Sequence, residues 1–269
     1  MERKIAFMKV SLVAAVLFME SCGTVPLTGR SQLNLLPESS MVEMSLTSYN
    51  EFLKENKLSS NATQIQQIKR VGDKVSRAVE TYLRNNGFES YIEAFKWEFN
   101  LVESDVPNAW CMPGGKVVFY TGILPLTQND AGVAVVMGHE IAHAVARHGN
   151  ERMSQSMMLE MGGTAISEAM KQKPAKTQAL FSAAYGLGTQ VGVMLPFSRR
   201  HELEADEMGL IFMAMAGYDP REAVGFWKRM SAKGGSGTPE FLSTHPVDTR
   251  RIAELEKLMP EAMKYYQGQ

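Results

Sequence analysis

The sequence predicts an α+β domain that is mainly α-helical and carries one small β-sheet. Between Ala62 and Asn85, apolar residues recur every three or four positions, which is the period of a helix with one buried face. In the stretch "AFKWEFNLVES", alternate residues from Phe95 to Leu101 are apolar, which is the period of a half-buried strand. With 269 residues, 45% of them apolar, the chain can bury a sizeable core. We expect residues 38–269 to form this domain.

The other elements follow from local signals. The run "KVVFYTGIL", after Pro113-Gly114-Gly115, predicts a second strand. The apolar stretch "VVMGHEIAHAVARHG" predicts a helix with Asn129 or Asp130 as its N-cap and Gly149 at its end. Further helices are expected over 38–56, once or twice within 153–195 with a break around 171–176, over 198–216, from Asp219 onward, and after His245-Pro246.

The N-terminus has the pattern of a secretory signal. Basic residues precede an apolar run of about ten residues, which is shorter than the roughly 20 that a membrane-spanning helix needs. The run ends in Ser21-Cys22-Gly23, which resembles a bacterial lipobox, so we expect residues 1–21 to be a signal peptide and Cys22 to be lipidated. An ordinary signal peptide or an uncleaved anchor is the alternative. Residues 22–37 are then a tether, or a strand wrapped on the surface.

Charge and cysteine content exclude two classes of protein. The net charge is −1 and basic residues form no cluster, so nucleic acid is not an expected partner. The chain has two cysteines, Cys22 and Cys111, which cannot form a disulfide scaffold.

The predicted helix at 129–149 contains the pattern HExxH. His139 and His143 are four residues apart, so both imidazoles lie on one face and can bind one cation, with Glu140 beside them. Zinc catalysis uses three protein ligands, one open position and a carboxylate that takes a proton from water. Glu140 suits the base. The alternative is a pair of hydrogen-bonded core histidines.

A third ligand is available in "SRRHELEAD", about sixty residues downstream. Glu202 and Asp206 are four residues apart on one helix face, so Glu202 can bind the metal while Asp206 orients a histidine ligand. The spacing leaves Glu204 open as the ligand instead. The acidic run could also be a solvated helix face.

Two more histidines lie near predicted helix ends. His245, in "LSTHPVDTRRI", could donate a hydrogen bond to the oxyanion of the tetrahedral intermediate, occupy the open zinc position in a latent state, or merely cap the last helix. His148 lies beside the predicted helix C-terminus, where its charge suits the helix dipole and needs no function.

The motifs HEIAH, SRRHELEAD and THPVDTRRI, with "PNAWCMPGG" before a strand, resemble the metallopeptidase family that includes the HtpX membrane protease, the CAAX prenyl protease and the mitochondrial Oma-type stress protease. The resemblance covers roughly 107–260. It implies a gluzincin fold with zinc on His139, His143 and Glu202, and Glu140 as base. It also implies that the stretch 108–120, which includes Asn108, Ala109 and Trp110, is an edge strand that pairs with an extended substrate.

The chain departs from some of these proteins. HtpX and the prenyl protease carry transmembrane helices, whereas residues 153–195 are interrupted by polar and charged residues. Trp110 and Cys111 stand where small or aliphatic residues are usual. The sequence therefore resembles the lipid-anchored bacterial envelope members of the family.

These observations together predict a zinc endopeptidase with one Zn2+ per chain. We expect it to face the periplasm, to be anchored through Cys22 to a membrane, the outer one in preference to the inner, and to degrade misfolded or misassembled envelope proteins. Unfolded or extended chains would be its substrates. A periplasmic chaperone with little turnover and a structural lipoprotein with inert histidines are the alternatives.

Overall fold

The structure is a computed structural model that describes residues 22–157, 198–233, 241, 244–245 and 249–268. The expected signal peptide at 1–21 lies outside the described residues. So does most of the helical stretch expected at 153–195, including its break around 171–176. Among the described residues, no helix has both the length and the apolar content needed to cross a membrane.

The N-terminal segment forms a hairpin. Strands β1 (Cys22–Thr24) and β2 (Ser31–Leu33) pair antiparallel. The hairpin is held to the domain where the Leu35 N–H donates to Ser154 Oγ and Asn150 Nδ2 donates to the Leu36 carbonyl. Of the two possibilities for residues 22–37, a free tether or a surface strand, the structure has the paired strand.

Two long helices follow the hairpin. Helix α1 is Glu38–Glu55, and helix α2 is Ala62–Asn85 with the side chain of Asn61 accepting from the Gln64 N–H at its start. The apolar stripe of α2 is buried, as the spacing predicts. A short helix, α3 (Glu89–Ile92), leads into the sheet.

The main sheet has three strands in the order β3-β5-β4: β3 (Glu98–Val102), β4 (Ala109–Met112) and β5 (Lys116–Tyr120). Strand β3 runs parallel to β5, and β4 runs antiparallel to it. The stretch 108–120 is therefore not one edge strand. It contains two strands, of which β4 lies at an edge of the sheet and β5 lies in its centre. Gly114 and Gly115, both at positive φ, form the turn between strands β4 and β5.

Helix α5 (Asp130–Val145) follows a 3-10 turn (Thr121–Ile123) and the short helix α4 (Leu124–Thr127). Asn129 is its N-cap, as predicted, and accepts from the Gly132 N–H. The helix ends at Val145 and not at Gly149. Arg147 takes a left-handed conformation with φ 54°, and its guanidinium lies 3.9 Å above the Tyr91 ring and pairs with Glu38. These distant contacts break the helix, which resumes over 148–157 as α6.

Three more helices complete the described fold: α7 (Arg199–Met215), α8 (Glu222–Ala232) and α9 (Thr249–Ala262). Ser198 caps α7 by accepting from the His201 N–H. Helix α8 begins three residues later than predicted, because Asp219 accepts from the backbone N–H and guanidinium of Arg221 and holds a turn there. The fold is mainly helical with a small sheet, as the sequence predicts.

Helices α5 and α7 cross at two glycines. A Cβ atom on Gly138 would lie 2.8 Å from the Gly209 carbonyl oxygen, and one on Gly209 would lie 2.9 Å from the His139 nitrogen. The two backbones can approach this closely because neither residue has a side chain. This crossing sets the distance between the side chains that the two helices direct toward each other.

Candidate metal centre

Four buried side chains meet where α5 and α7 cross. His139 and His143 come from α5, Glu202 comes from the first turn of α7, and His245 precedes α9. One nitrogen or oxygen of each lies within 4.8 Å of the others. Sequence analysis proposed the same residues for a metal site, and the structure brings them together.

The first three fit the geometry of a tetrahedral metal ion. His139 Nε2 lies 3.1 Å from His143 Nε2 and 3.5 Å from Glu202 Oε2, and His143 Nε2 lies 3.4 Å from Glu202 Oε1. A tetrahedral zinc ion with bonds of about 2.0–2.1 Å holds its ligand atoms about 3.3–3.4 Å apart. Two imidazole nitrogens and one carboxylate are also the donor set that zinc accepts. The residues present therefore fit a zinc ion.

His245 lies against the same atoms. Its Nδ1 is 3.3 Å from His139 Nε2 and 3.0 Å from Glu202 Oε1, so it occupies the side of the group that the three other ligands leave open. Phe241 holds it there, because the two rings stack 4.6 Å apart and the Phe241 carbonyl accepts the His245 backbone N–H. A role limited to capping α9 does not account for this position.

Glu140 lies beside the group and is almost fully buried. Its Oε1 accepts no hydrogen bond within the part of the chain that the structure describes, although His245 Nε2 is 3.5 Å away. Burial raises the pKa of Glu140, and the nearby imidazoles of His245 and His139 oppose the rise. A carboxylate with a raised pKa and a free oxygen is suited to take a proton near neutral pH.

Asp206 lies on the far side of His139, with its Oδ1 3.0 Å from His139 Nδ1. Burial alone would raise the pKa of Asp206, but Arg251 and His139 outweigh it and hold this pKa below its usual range. Asp206 is therefore ionised, and it can accept a hydrogen bond from Nδ1–H of His139. That leaves the lone pair of His139 on Nε2, which faces the other ligands.

Arg251, from α9, is a residue that the sequence reasoning missed. Its Nε and Nη2 donate to the two oxygens of Asp206 at 2.7 and 2.8 Å, and its Nη1 lies 2.7 Å from Glu202 Oε2. It is fully buried, with its guanidinium 4.0 Å above the Trp227 ring. Its only signal in the sequence is its place in "THPVDTRRI", since spacing does not connect it with α7.

Glu204 faces away from the metal group. It accepts hydrogen bonds from the Thr28 hydroxyl, from Arg30 Nε at 2.7 Å and from His148 Nε2 at 2.9 Å. Burial opposes ionisation, but the hydrogen bonds from His148 and Arg30 prevail and lower the pKa of Glu204 to about 2. The acidic run is not a solvated helix face, because Glu202, Glu204 and Asp206 are all buried.

His148 is not at the C-terminus of α5, contrary to the sequence interpretation, because the helix ends before it. It lies in the first turn of α6, fully buried, with its Nδ1 2.8 Å from His143 Nδ1. Burial lowers the pKa of His148 to about 4, although Glu204 favours the charged form. His148 is therefore neutral at pH 7, and an interaction with the helix dipole does not explain its position.

The residues expected to line the substrate groove are mostly buried. Ala109 and Trp110 belong to the edge strand β4, and Asn108 precedes it, with its backbone carbonyl accepting the Tyr120 N–H. The Trp110 ring packs edge-on against Phe52 at 5.0 Å. The large side chain at this position thus belongs to the core beneath the strand.

Comparisons with known proteins find a matching family and several relatives. Residues 65–259 match the family model described as "Peptidase family M48". The chain is 36% identical over 186 residues to "Mitochondrial metalloendopeptidase OMA1" of Saccharomyces cerevisiae, covering 66% of this chain and 51% of that protein. It is 29% identical over 259 residues to "Metalloendopeptidase OMA1, mitochondrial" of Homo sapiens, covering 94% and 49%.

A bacterial relative also matches. The chain is 32% identical over 165 residues to "Beta-barrel assembly-enhancing protease" of Escherichia coli, covering 59% of this chain and 33% of that protein. The chain therefore spans about half the length of the yeast and human relatives and a third of the bacterial one.

Proposed function

The chain belongs to peptidase family M48, and we propose that it is a zinc-dependent endopeptidase with one zinc ion per chain, held by His139, His143 and Glu202. The observation that carries this proposal is the spacing of their ligand atoms. The two imidazole nitrogens lie 3.1 Å apart, and they lie 3.5 and 3.4 Å from the two oxygens of Glu202, with Glu140 buried beside them. An inert set of core histidines would not need three ligand atoms at these distances and a carboxylate oxygen without a hydrogen bond.

The chain's own residues divide the chemistry. Zinc in such a site supplies Lewis-acid polarisation of a carbonyl group and makes water a better nucleophile at neutral pH. Glu140 takes the proton from the attacking water and returns it to the leaving amine. Asp206 orients His139, and Arg251 balances the negative charge of Asp206 and Glu202.

His245 has two candidate roles. With Nδ1 among the ligand atoms it would be a fourth protein ligand for a zinc ion, which would leave no position for a substrate carbonyl and make this arrangement a latent form. If His245 rotates away, its N–H can donate to the oxyanion in the transition state. The 3.3 Å from His245 Nδ1 to His139 Nε2 is the spacing of two ligands on one zinc ion, and it supports the first role for the arrangement described here.

Strand β4 is the proposed substrate-binding edge. Within the described residues it pairs with β5 on one side only, so the peptide groups on its other side are suited to pair with an extended substrate. Recognition through the backbone reads an extended conformation and not a sequence, which agrees with unfolded or misassembled proteins as substrates.

For location we propose the bacterial cell envelope, with a lipid on Cys22 holding the domain at the periplasmic face of the outer membrane. The lipobox-like sequence supports this, as does the Escherichia coli relative, which is named for β-barrel assembly. Loss of labelled palmitate incorporation in Cys22→Ala is the expected result. Incorporation that survives this substitution would contradict the anchor.

The activity is tested by comparing wild type with Glu140→Gln for zinc content and for digestion of unfolded casein. We expect both forms to bind one zinc ion, and only the wild type to cleave. If both bind zinc and neither cleaves, a chaperone that holds unfolded chains in the same groove replaces the peptidase. If neither binds zinc, the histidines are inert.

A further inference from the structure

A second buried group of charged and polar side chains lies behind the metal centre. It consists of His148, His201, Glu151 and Glu204, with Arg30 of the N-terminal hairpin between the two carboxylates. The rings of His148 and His201 stack 4.5 Å apart. The group contacts the metal centre where His148 Nδ1 lies 2.8 Å from Nδ1 of His143.

This second group does not hold a metal, although two histidines and two glutamates could suggest one. The Arg30 guanidinium donates to both oxygens of Glu151, at 2.9 and 2.7 Å, and through Nε to Glu204 at 2.7 Å. Its charge therefore already fills the place that a cation would take between the carboxylates. The group is an ion-pair network attached to one metal ligand.

The direction of the hydrogen bonds follows from Glu204. A carboxylate that receives an arginine and a hydroxyl is ionised and can only accept, so His148 Nε2 must carry a hydrogen and donate to it. With its Nε2–H directed at Glu204, His148 has Nδ1 left to accept, and the 2.8 Å between this atom and Nδ1 of His143 fits a hydrogen bond that Nδ1–H of His143 donates. The lone pair of His143 is thereby placed on Nε2, the atom that faces His139 and Glu202.

We propose that His148 is a positioning residue for the metal ligand His143, and that Arg30 and Thr28 of the N-terminal hairpin act on the same ligand through Glu204. The inference rests on the proposed zinc site. The two histidine ligands are then oriented in different ways. Asp206 faces Nδ1–H of His139 directly as an acceptor, whereas His143 is connected to the Glu204 carboxylate through the imidazole of His148.

The position of Arg30 gives this arrangement a consequence for the N-terminal segment. Arg30 directly precedes β2, eight residues after Cys22, and it is linked to a metal ligand through three hydrogen bonds, by way of the Glu204 carboxylate and the His148 imidazole. The segment between the proposed lipid anchor and the domain is therefore part of the metal centre's support. Its conformation and the zinc affinity of the site are coupled.

The test compares His148→Ala with His201→Ala in the full chain. Both remove a buried imidazole from the same stack, but His201 Nε2 lies 3.2 Å from Glu151, whereas His148 Nδ1 lies 2.8 Å from the metal ligand His143. Competition with a chelator should give a zinc dissociation constant 10- to 100-fold higher for His148→Ala and within about threefold of wild type for His201→Ala. Equal losses in the two variants, or no loss in His148→Ala, would overturn the inference.

The tautomer of His143 gives a readout that does not depend on activity. Nitrogen NMR of metal-free protein labelled at its five histidines should show His143 protonated on Nδ1 in the wild type. A wild-type His143 protonated on Nε2 would refute the inference whether or not zinc binds. If the wild type has the expected tautomer but binds no zinc, the proposed function fails and the hydrogen-bond order stands.

The role of the hairpin is tested by a double-mutant cycle. Arg30→Ala should weaken zinc binding several-fold in the wild-type chain and have no further effect in the His148→Ala background, because it acts through His148. Losses that add in full would show that Arg30 acts on the metal centre by some other route.

Discussion

Replacing Gly209 with alanine tests whether the helix crossing sets the metal site. The new Cβ would lie 2.9 Å from the backbone nitrogen of His139 and 3.0 Å from the carbonyl carbon of Gly138. Both neighbours are backbone atoms of α5 and cannot rotate away. Helix α7, which carries Glu202, must therefore move away from the helix that carries His139.

The size of the movement follows from these distances. Ordinary van der Waals contact begins at 3.4 Å, so the helices must separate by about 0.5 Å. Metal–ligand distances tolerate about 0.2 Å, and we therefore expect zinc affinity to fall at least tenfold. Overpacking costs about 2–3 kcal/mol of unfolding free energy, and the gain in helix propensity from glycine to alanine offsets about 1 kcal/mol of it.

Gly225→Ala is the matched control. It lies inside α8, where a Cβ would meet only the flexible ends of Arg229 and Glu222, at 3.2 and 3.9 Å. Urea denaturation should find Gly209→Ala about 1–2 kcal/mol less stable than wild type and Gly225→Ala unchanged or slightly more stable. Chelator competition should find weaker zinc binding only in Gly209→Ala. If the two variants match in stability and zinc affinity, the crossing does not set the site.

Three other predictions concern single side chains. Glu202→Ala should lose zinc in metal analysis, whereas Glu204→Ala should keep it with reduced affinity; the reverse order would make Glu204 the ligand. If His245 is a latent-state ligand, His245→Ala should cleave casein faster in initial-rate assays, and a slower rate would indicate a transition-state role instead. The pKa of His148 is 6.5 in the unfolded chain and about 4 in the folded domain, so between these pH values the unfolded chain binds a proton that the folded domain does not. The metal-free protein should therefore lose stability as pH falls through this range, by on the order of 3 kcal/mol. Urea denaturation at pH 7 and pH 4.5 should show that His148→Gln removes most of this loss, and an unchanged pH dependence would contradict it.

Features that depend on neighbouring residues were predictable from the sequence. The bounds of α2, the Asn129 cap of α5 and the buried alternation in β3 all follow from local spacing and short-range hydrogen bonds. The placement of His139 and His143 on one face was also predictable, because residues four apart lie about one helical turn from each other.

Features that depend on distant residues were not predictable. The break after Val145 is held by contacts from Arg147 to Glu38 and Tyr91, which no local pattern indicates. His148 was misinterpreted for the same reason, because its position relative to His143 depends on that break. Arg251 is 45 residues from Asp206 in the sequence, and only the packing of α9 against α7 brings them together.

The position of Arg251 also determines when the centre can form during folding. Glu202 and Asp206 are both buried beside each other, and the guanidinium that balances them arrives only with α9. Two buried carboxylates without that charge would repel each other and favour protonation, which would remove the metal ligand. A chain that ends before α9 therefore holds the HExxH motif without the cation that balances Glu202 and Asp206.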